Sequence, residues 1–321
     1  MDLSVESIPL SLLDGSNPFQ TRFWATLKSL NGWRGQAFAV DSAAFSGTVL
    51  VLVRSFAFGL SMAYVPMCFS TGVDDVFLLD FSRRLQKLLG RSVMLIRYDL
   101  DWANAEDGWD DFHICRSSVQ PVGTVRIDLE RDLDFKERVR RNLRKEDAVV
   151  VRRWDGDEDE FAAWYETYVH TAVRDHFSSR SMQYIRFIFD IRDQGVVPNL
   201  YIAYCDGSIS GGIITLRSGG EEVYLFGSSV KHTGNVSCGY ALQVHAIMEA
   251  RRAGMKVYDL FGIDAKGEDG HLSSLTTFKT AFGGRKVYRP MTMDHDCRPL
   301  AARMFRVLDD LRYRHARRSR I

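Results

Sequence analysis

The chain has 321 residues, 45% of them hydrophobic and 26% charged, with a formal net charge of +1. That length exceeds one ordinary core and points to two domains, while the even charge excludes a global attraction to nucleic acid or membrane. Five scattered cysteines (Cys68, Cys115, Cys205, Cys238, Cys297) with no CxxC pair indicate neither a disulfide framework nor a zinc site.

The opening MDLSVESIPL has acidic residues and no basic n-region, so it does not read as a signal peptide. Asn17-Pro18 predicts a helix start, with Phe19, Phe23, Leu27 and Leu30 at helical spacing and Trp24 widening the apolar face. Lys28 falls off that stripe, just before the Asn31-Gly32 stop, where a lysine is usually solvated. The apolar run Thr48–Phe69 is interrupted by Arg54 and Gly59 and holds Pro66 near its end, so it reads as two buried strands and not as a membrane span. A soluble cytoplasmic protein is expected. Strands at Gln36–Val40, Thr48–Ser55 and Leu60–Pro66 form the pattern of an antiparallel meander.

Asp74 and Asp75 put negative charge at the start of a helix through Leu89, and Arg83, Arg84 and Lys87 lie near its end, as the helix dipole favours. Ser92–Tyr98 predicts a buried strand that leads into Asp99-Leu100-Asp101. Two carboxylates two apart on an extended chain point to one side; equally, they form a turn pair. Thr124–Leu129 predicts a strand. Phe135–Glu146 then predicts a strongly basic helix with a thin apolar face (Val139, Leu143), suited to linking domains or lying on a polyanion.

Beyond it come strand Val149–Arg153, the acidic cap DGDEDE, helix Phe161–Val173, the segment Arg174-Asp175-His176-Phe177, and a helix over Met182–Asp193. Strands Leu200–Cys205, Ile209–Leu216 and Glu222–Phe226 turn at Asp206-Gly207 and Gly219-Gly220, both hairpin signals. Helix Gly239–Ala253 precedes KVYDLFGIDAKGEDGHLSSLTTFKTAFGG (Lys256–Gly284). This stretch is a short strand, a polar loop bearing Asp264, Glu268 and Asp269, and a short helix over Leu275–Phe282. Phe278 and Phe282 share one face of it, so Lys279 points elsewhere. Lys279 is either a surface lysine on a short helix or a cation fixed at a site beside a strand's C-terminal end. Strand Lys286–Arg289 and a helix from about Leu300 complete the chain.

The order β-α-α-β-β-β-α-β-α-β is that of an α+β acyltransferase-like domain. The first half reads similarly, so the expected fold class is α+β with two acyltransferase-like (GNAT-like) domains, each a mostly antiparallel mixed sheet flanked by helices. The expected boundaries are residues 1–125 with 292–321, and residues 126–291. There is no GxxxxGK[ST], no GxSxG and no HExxH, and Gly211-Gly212 lie inside hairpin strands. The loop KHTGNVSCGYAL, with only Gly234 and Gly239, makes a poor amide cradle for a CoA pyrophosphate, which argues against a CoA thioester donor.

YDLFGI followed by LTTFKTAFGG resembles the signature of the FemABX family of non-ribosomal peptidyltransferases. QTRFWATLKSLNGW, TVRIDLERDLDFKERVRRNLRKE and TAVRDHFSSRSMQYI resemble further segments of that family in the same order, so the likeness spans nearly the whole chain. It implies transfer of an amino acid from aminoacyl-tRNA to the stem peptide of a peptidoglycan precursor, UDP-MurNAc-pentapeptide or lipid II. No cofactor or metal is implied, aminoacyl-tRNA being the co-substrate, and a monomer without membrane insertion is expected. The resemblance places Lys28 and Arg180 at the precursor's phosphates and Tyr184 and Tyr224 in that cleft. It places Phe278 and Lys279 at the tRNA acceptor end and the transition state, and Asp99 or Asp101 near the accepting amine. Met67-Cys68-Phe69 stands where the family has Arg-Gly-Pro, and no heptad arm interrupts the second domain. The alternative reading is an acyl-CoA-dependent N-acyltransferase acting on a polysaccharide, lipid or protein amine.

Overall fold

Runs of aliphatic and aromatic residues punctuated by glycine turns build two seven-stranded sheets with helices packed on them. The computed structural model describes residues 3–15, 17–144, 149–192, 195–230, 238–264 and 270–318. In chain order the first elements are β1 (Ser4–Ile8), α1 (Arg22–Ser29), β2 (Arg34–Asp41), β3 (Ser46–Ser55), β4 (Ser61–Cys68), α2 (Asp75–Leu89), β5 (Val93–Leu100) and β6 (His113–Ile114). Next come β7 (Gly123–Asp128), α3 (Glu137–Leu143), β8 (Val149–Arg153), α4 (Glu158–Arg174), α5 (Met182–Asp190), β9 (Val197–Cys205), β10 (Ser208–Ser218) and β11 (Glu221–Ser229). The last are α6 (Cys238–Arg252), β12 (Val257–Asp259), α7 (Gly270–Lys279), β13 (Arg285–Tyr288), β14 (Met293–Asp296) and α8 (Pro299–Arg318). Among the described residues no helix is long and apolar enough to cross a membrane.

The chain divides into two units, Met1–Val122 with Tyr288–Ile321, and Gly123–Val287. The expected α+β class with two mixed, mostly antiparallel sheets is what the chain adopts. The first sheet runs β1-β2-β3-β4-β5-β14-β6 and the second β13-β7-β12-β11-β10-β9-β8. In each, four strands joined antiparallel meet a fifth in parallel: β4 with β5 in one unit, β11 with β12 in the other. The crossover that parallel pairing needs contains α2 and α6 respectively.

Some elements differ from the expected ones. Asn17-Pro18 opens a single 3-10 turn, Pro18–Gln20, and α1 begins only at Arg22, where the Thr21 hydroxyl accepts from Trp24 N (3.2 Å). β1 lacks an apolar alternation because it is an edge strand with mostly exposed side chains. β14, only four residues, is recruited between β5 and β6, which periodicity in so short a run cannot announce. The basic helix is shorter than expected, with Val139 its one buried residue; residues 145–148 lie outside the described residues.

The two parallel pairs differ in a way that decides where a ligand could enter. β4 and β5 stay paired from Ser61 opposite Val93 to Cys68 opposite Leu100, with an irregularity around Pro66, which has no N–H for the ladder. The carbonyls freed there are taken by side chains: Asn17 Nδ2 donates to Met67 O (2.7 Å) and Gln20 Nε2 to Pro66 O. Phe69 closes that end against Phe45, Phe77 and Phe81. β11 and β12 pair only over Glu221–Val223 with Val257–Asp259. Past that point Leu260 N donates to Val125 O (3.0 Å), and β11 stays with β10 through a bulge at Leu225. A bulge bends its strand and re-aims side chains. The parallel pair is sealed in the first unit and opens in the second.

Candidate functional site

The opening between β11 and β12 leads to a cavity of about 570 Å³ in the second unit. Its walls come from β11 (Tyr224 to Ser229), the C-terminal half of α4, the start of α6, Phe261, and the last turn of α7. Lys279 reaches this cavity although only 5% of its surface is exposed.

The position of Lys279 follows from local chemistry. Asp259, the last residue of β12, accepts from Phe261 N (2.8 Å) and from the Thr124 hydroxyl (2.5 Å). The chain then turns through positive φ at Phe261 (42°) and Gly262 (78°). Glycine adopts that region freely; a phenylalanine there is strained and must be held by its neighbours. The turn aims two carbonyls at one point, and Lys279 Nζ donates to both Phe261 O and Gly262 O, the latter at 2.7 Å. The ammonium also lies 5.3 Å from the centroid of the Tyr224 ring. Of its three N–H donors, two are spent on carbonyls, so one remains for the cavity. Burial lowers the Lys279 pKa to about 8, with Asp259 opposing that shift. The site therefore holds a desolvated cation close to its own titration point, as groups that handle charge in a transition state often are. Asp259 itself is raised by burial, with Arg126 and the Thr124 hydrogen bond acting the other way.

Around Lys279 the cavity presents donors. Tyr224 has its hydroxyl above Gly227, where an added Cβ would lie 2.1 Å from that oxygen, so glycine is required for this placement. Burial pushes the Tyr224 phenol up to about 12, keeping it protonated. Arg180 lines the cavity and is exposed; its backbone is fixed at Tyr165, whose hydroxyl donates to Arg180 O (2.8 Å). Among the described residues no carboxylate lies within ion-pair distance of its guanidinium. Asp175, the acidic residue of the wall, is engaged by both arms of Arg174 (2.8 and 2.7 Å), and Arg174 also donates to Ser229 O (2.6 Å).

Phe278 packs edge-on against Tyr240 (5.0 Å) and Phe282 (5.2 Å), forming an aromatic wall next to Lys279. Against this wall lies the basic helix: Lys136 N donates to Ala281 O (2.9 Å) and Phe135 meets Phe282 at 6.3 Å. Arg138 and Arg141 on α3 are exposed and, among the described residues, have no carboxylate partner.

The structure thus brings Lys279, Phe278, Tyr224 and Arg180 to one cavity. Tyr184 stands behind Arg180, 7% exposed, its ring 5.7 Å from the guanidinium carbon, and does not line the cavity. Lys28 belongs to the first unit, where its Nζ lies 4.3 Å over the Trp24 ring. Asp99 and Asp101 also belong to that unit and do not share one side. Asp99 is fully enclosed: one carboxylate oxygen accepts from Arg289 Nη2 (3.0 Å) and the Thr292 hydroxyl, the other from the Tyr64 hydroxyl and Gln120 N (3.2 Å). Asp101 is half-buried at a turn and accepts from Trp102 N (2.7 Å). The backbone leaves the extended strand after Leu100, so the two-residue alternation no longer applies. In the loop before α7, Asp264 N donates to Thr276 Oγ1 (2.9 Å); Glu268 and Asp269, like the loop segment 231–237, lie outside the described residues. Among the described residues no group of His, Cys, Asp and Glu side chains could hold a metal ion.

One cavity residue, Gln243, carries no motif, whereas Phe261 lies within YDLFGI and acts through its backbone carbonyl. Gln243 is the polar residue in the buried stripe Tyr240, Gln243, Ile247 of α6, a break in helical apolar spacing that was its one signal.

Residues 134–271 match the family model described as an acetyltransferase (GNAT) domain. No curated protein matches the sequence. Among solved structures, a crystal structure of FemX is similar, at 16% identity and a TM-score of 0.75, over 94% of this chain and 100% of that one. L-PGS from Bacillus licheniformis is similar at 12% identity and a TM-score of 0.51, over 92% of this chain and 97% of that one. A C-terminal domain attributed to a lysylphosphatidylglycerol synthetase of Agrobacterium fabrum is similar at 10% identity and a TM-score of 0.53, over 93% and 95%. These likenesses establish a tandem GNAT-like fold for the chain.

Proposed function

We propose that the protein is an aminoacyltransferase that moves an amino acid from aminoacyl-tRNA to the stem-peptide amine of a peptidoglycan precursor. The observation that carries this reading is the buried, carbonyl-held Lys279 ammonium in a donor-rich cavity, with Arg138 and Arg141 exposed on the basic helix that packs next to Phe282. The likeness to FemX over both units supports it.

An aminoacyl ester is already activated, so amide formation requires no nucleotide hydrolysis. The acceptor amine, with an ordinary pKa of about 10.4, sheds a proton and attacks the ester carbonyl. Negative charge develops on the carbonyl oxygen, and the remaining N–H of the buried Lys279 is suited to receive it. The C–O bond to the ribose then breaks, and the ribose hydroxyl leaves with a proton. Because Lys279 titrates near 8, it is mostly charged at neutral pH and can also donate to that leaving oxygen. Within the second unit Arg180 is assigned to the precursor's diphosphate, and Tyr184 positions Arg180 from behind. Of the two carboxylates, Asp101 is assigned to the accepting amine, since every direction around the Asp99 carboxylate is already used. Arg138 and Arg141 are assigned to the tRNA backbone, as salt-dependent contacts that read no sequence.

The test is direct: incubate the protein with mixed charged tRNAs and UDP-MurNAc-pentapeptide and weigh the product. A mass gain of one or more amino acids is expected, and none with either the soluble or the lipid-linked precursor would overturn the proposal. A second reading, an acyl-CoA-dependent N-acyltransferase, is favoured by the match of residues 134–271 to the GNAT model. Acetyl-CoA binding without any use of charged tRNA would select it.

A further inference from the structure

Gln243 is 1% exposed yet lines the cavity. Its Oε1 accepts from the Tyr258 hydroxyl at 2.8 Å. Tyr258 is fully buried on β12, burial holds its phenol protonated, and its hydroxyl proton has this one acceptor among the described residues. That settles the orientation of the amide, since the oxygen must face Tyr258 and the NH₂ must face away. Nothing among the described residues accepts from Nε2, and leaving a buried amide donor without an acceptor is unfavourable. The cavity is the direction left to it.

Three further groups described around the cavity can donate: the remaining N–H of Lys279, the Tyr224 hydroxyl and the Arg180 guanidinium. Asp175, by contrast, is occupied by Arg174. A wall of this kind recognises hydrogen-bond acceptors.

We infer that Gln243 is a substrate-recognition residue whose Nε2 donates to a carbonyl oxygen of the transferred acyl group, with Tyr258 holding the amide in the donating orientation. This inference rests on the acyl-transfer reading of the cavity and adds to it a residue that orients the acyl group. It requires a donor, not merely a polar side chain, at residue 243.

The experiment compares wild type with Gln243→Met, Gln243→Glu and Tyr258→Phe. Binding of a 3′-aminoacylamido-3′-deoxyadenosine (the amide analogue of a charged acceptor end) and of acetyl-CoA is measured by calorimetry, alongside kcat and KM for transfer and a thermal melt for folding. Gln243→Met keeps the shape and removes both donors; a loss of about 10- to 100-fold in affinity for the probe that wild type binds is expected. Gln243→Glu still accepts from Tyr258 but turns an acceptor to the cavity, so a larger loss is expected. Tyr258→Phe removes the same internal hydrogen bond without touching the donors, and a loss below about fivefold is expected. Unchanged affinity in Gln243→Met, tighter binding in Gln243→Glu, or equal losses in Gln243→Met and Tyr258→Phe would each overturn the inference while leaving the transfer reaction standing. Wild type that binds acetyl-CoA but uses no charged tRNA overturns the tRNA-dependent reading alone, and the acetyl-CoA affinities of the four proteins then decide the role of Gln243. Wild type that binds neither probe overturns both.

Discussion

Asp99 and Arg289 form an ion pair of 3.0 Å with both side chains fully buried. Arg289 also donates to the carbonyls of Gln120 (2.7 Å) and Pro121 (2.8 Å), so one carboxylate ties down both stretches of chain that lead out of the first unit. Replacing Asp99 by Asn leaves the guanidinium buried without its counter-charge. An unpaired buried charge costs about 3–5 kcal/mol, so Asp99→Asn should lower the denaturant midpoint of unfolding accordingly. Normal stability with lost transfer would instead restore Asp99 as a residue that meets substrate.

Lys279→Met should leave the fold intact by circular dichroism and reduce transfer from charged tRNA by about 10²- to 10³-fold, the usual consequence of removing an oxyanion donor. Activity within threefold of wild type would remove Lys279 from the chemistry.

The same lysine gives stability a defined pH dependence. Its folded pKa is about 8 against 10.5 for the unfolded chain. Between those values the unfolded state holds the extra proton, so unfolding becomes harder as pH rises. The stability of wild type relative to Lys279→Met should therefore rise from pH 8 to 10.5, by roughly 3 kcal/mol at most. Below pH 8 the difference should be flat. Denaturant titrations of both proteins at four pH values would show it, and a difference that falls with pH would contradict the buried, charged lysine.

Gly227→Ala tests the placement of Tyr224. The new methyl would sit on the Tyr224 hydroxyl, the far end of a side chain that can swing, so the fold should hold while the ring leaves Lys279. We expect at least a tenfold fall in kcat/KM with under about 2 kcal/mol of destabilisation. A loss of folding instead would mean that Tyr224 cannot move.

Arg180→Lys retains the charge and removes the planar fork that grips a diphosphate bidentately. Precursor binding measured by calorimetry should weaken about tenfold, and the loss should persist at high salt, because the charge that salt screens is kept. Equal binding would place the diphosphate elsewhere.

Much of this protein was written in local pattern. Helix caps such as Asp74, hairpin turns at Asp206-Gly207 and Gly219-Gly220, and apolar periodicity depend on neighbours within a few residues, so the element order and the GNAT-like α+β class were legible. Helical spacing likewise set Lys279 off from the Phe278 and Phe282 face, while the pairing of Phe278 with Lys279 at a site came from the resemblance. What the chain could not state by itself was anything set by partners distant in sequence. Asp99 and Asp101 look equivalent along a strand, yet Arg289 and Thr292, about 190 residues away, take the first into a buried knot. Gln243 looks like a polar interruption of a helix until Tyr258 fixes its oxygen and the parting of β11 from β12 opens a cavity beside it. Spacing along the chain determines which side chains share a face; only the packing of one element on another determines which of them are enclosed, which are satisfied, and which are left with a proton to offer.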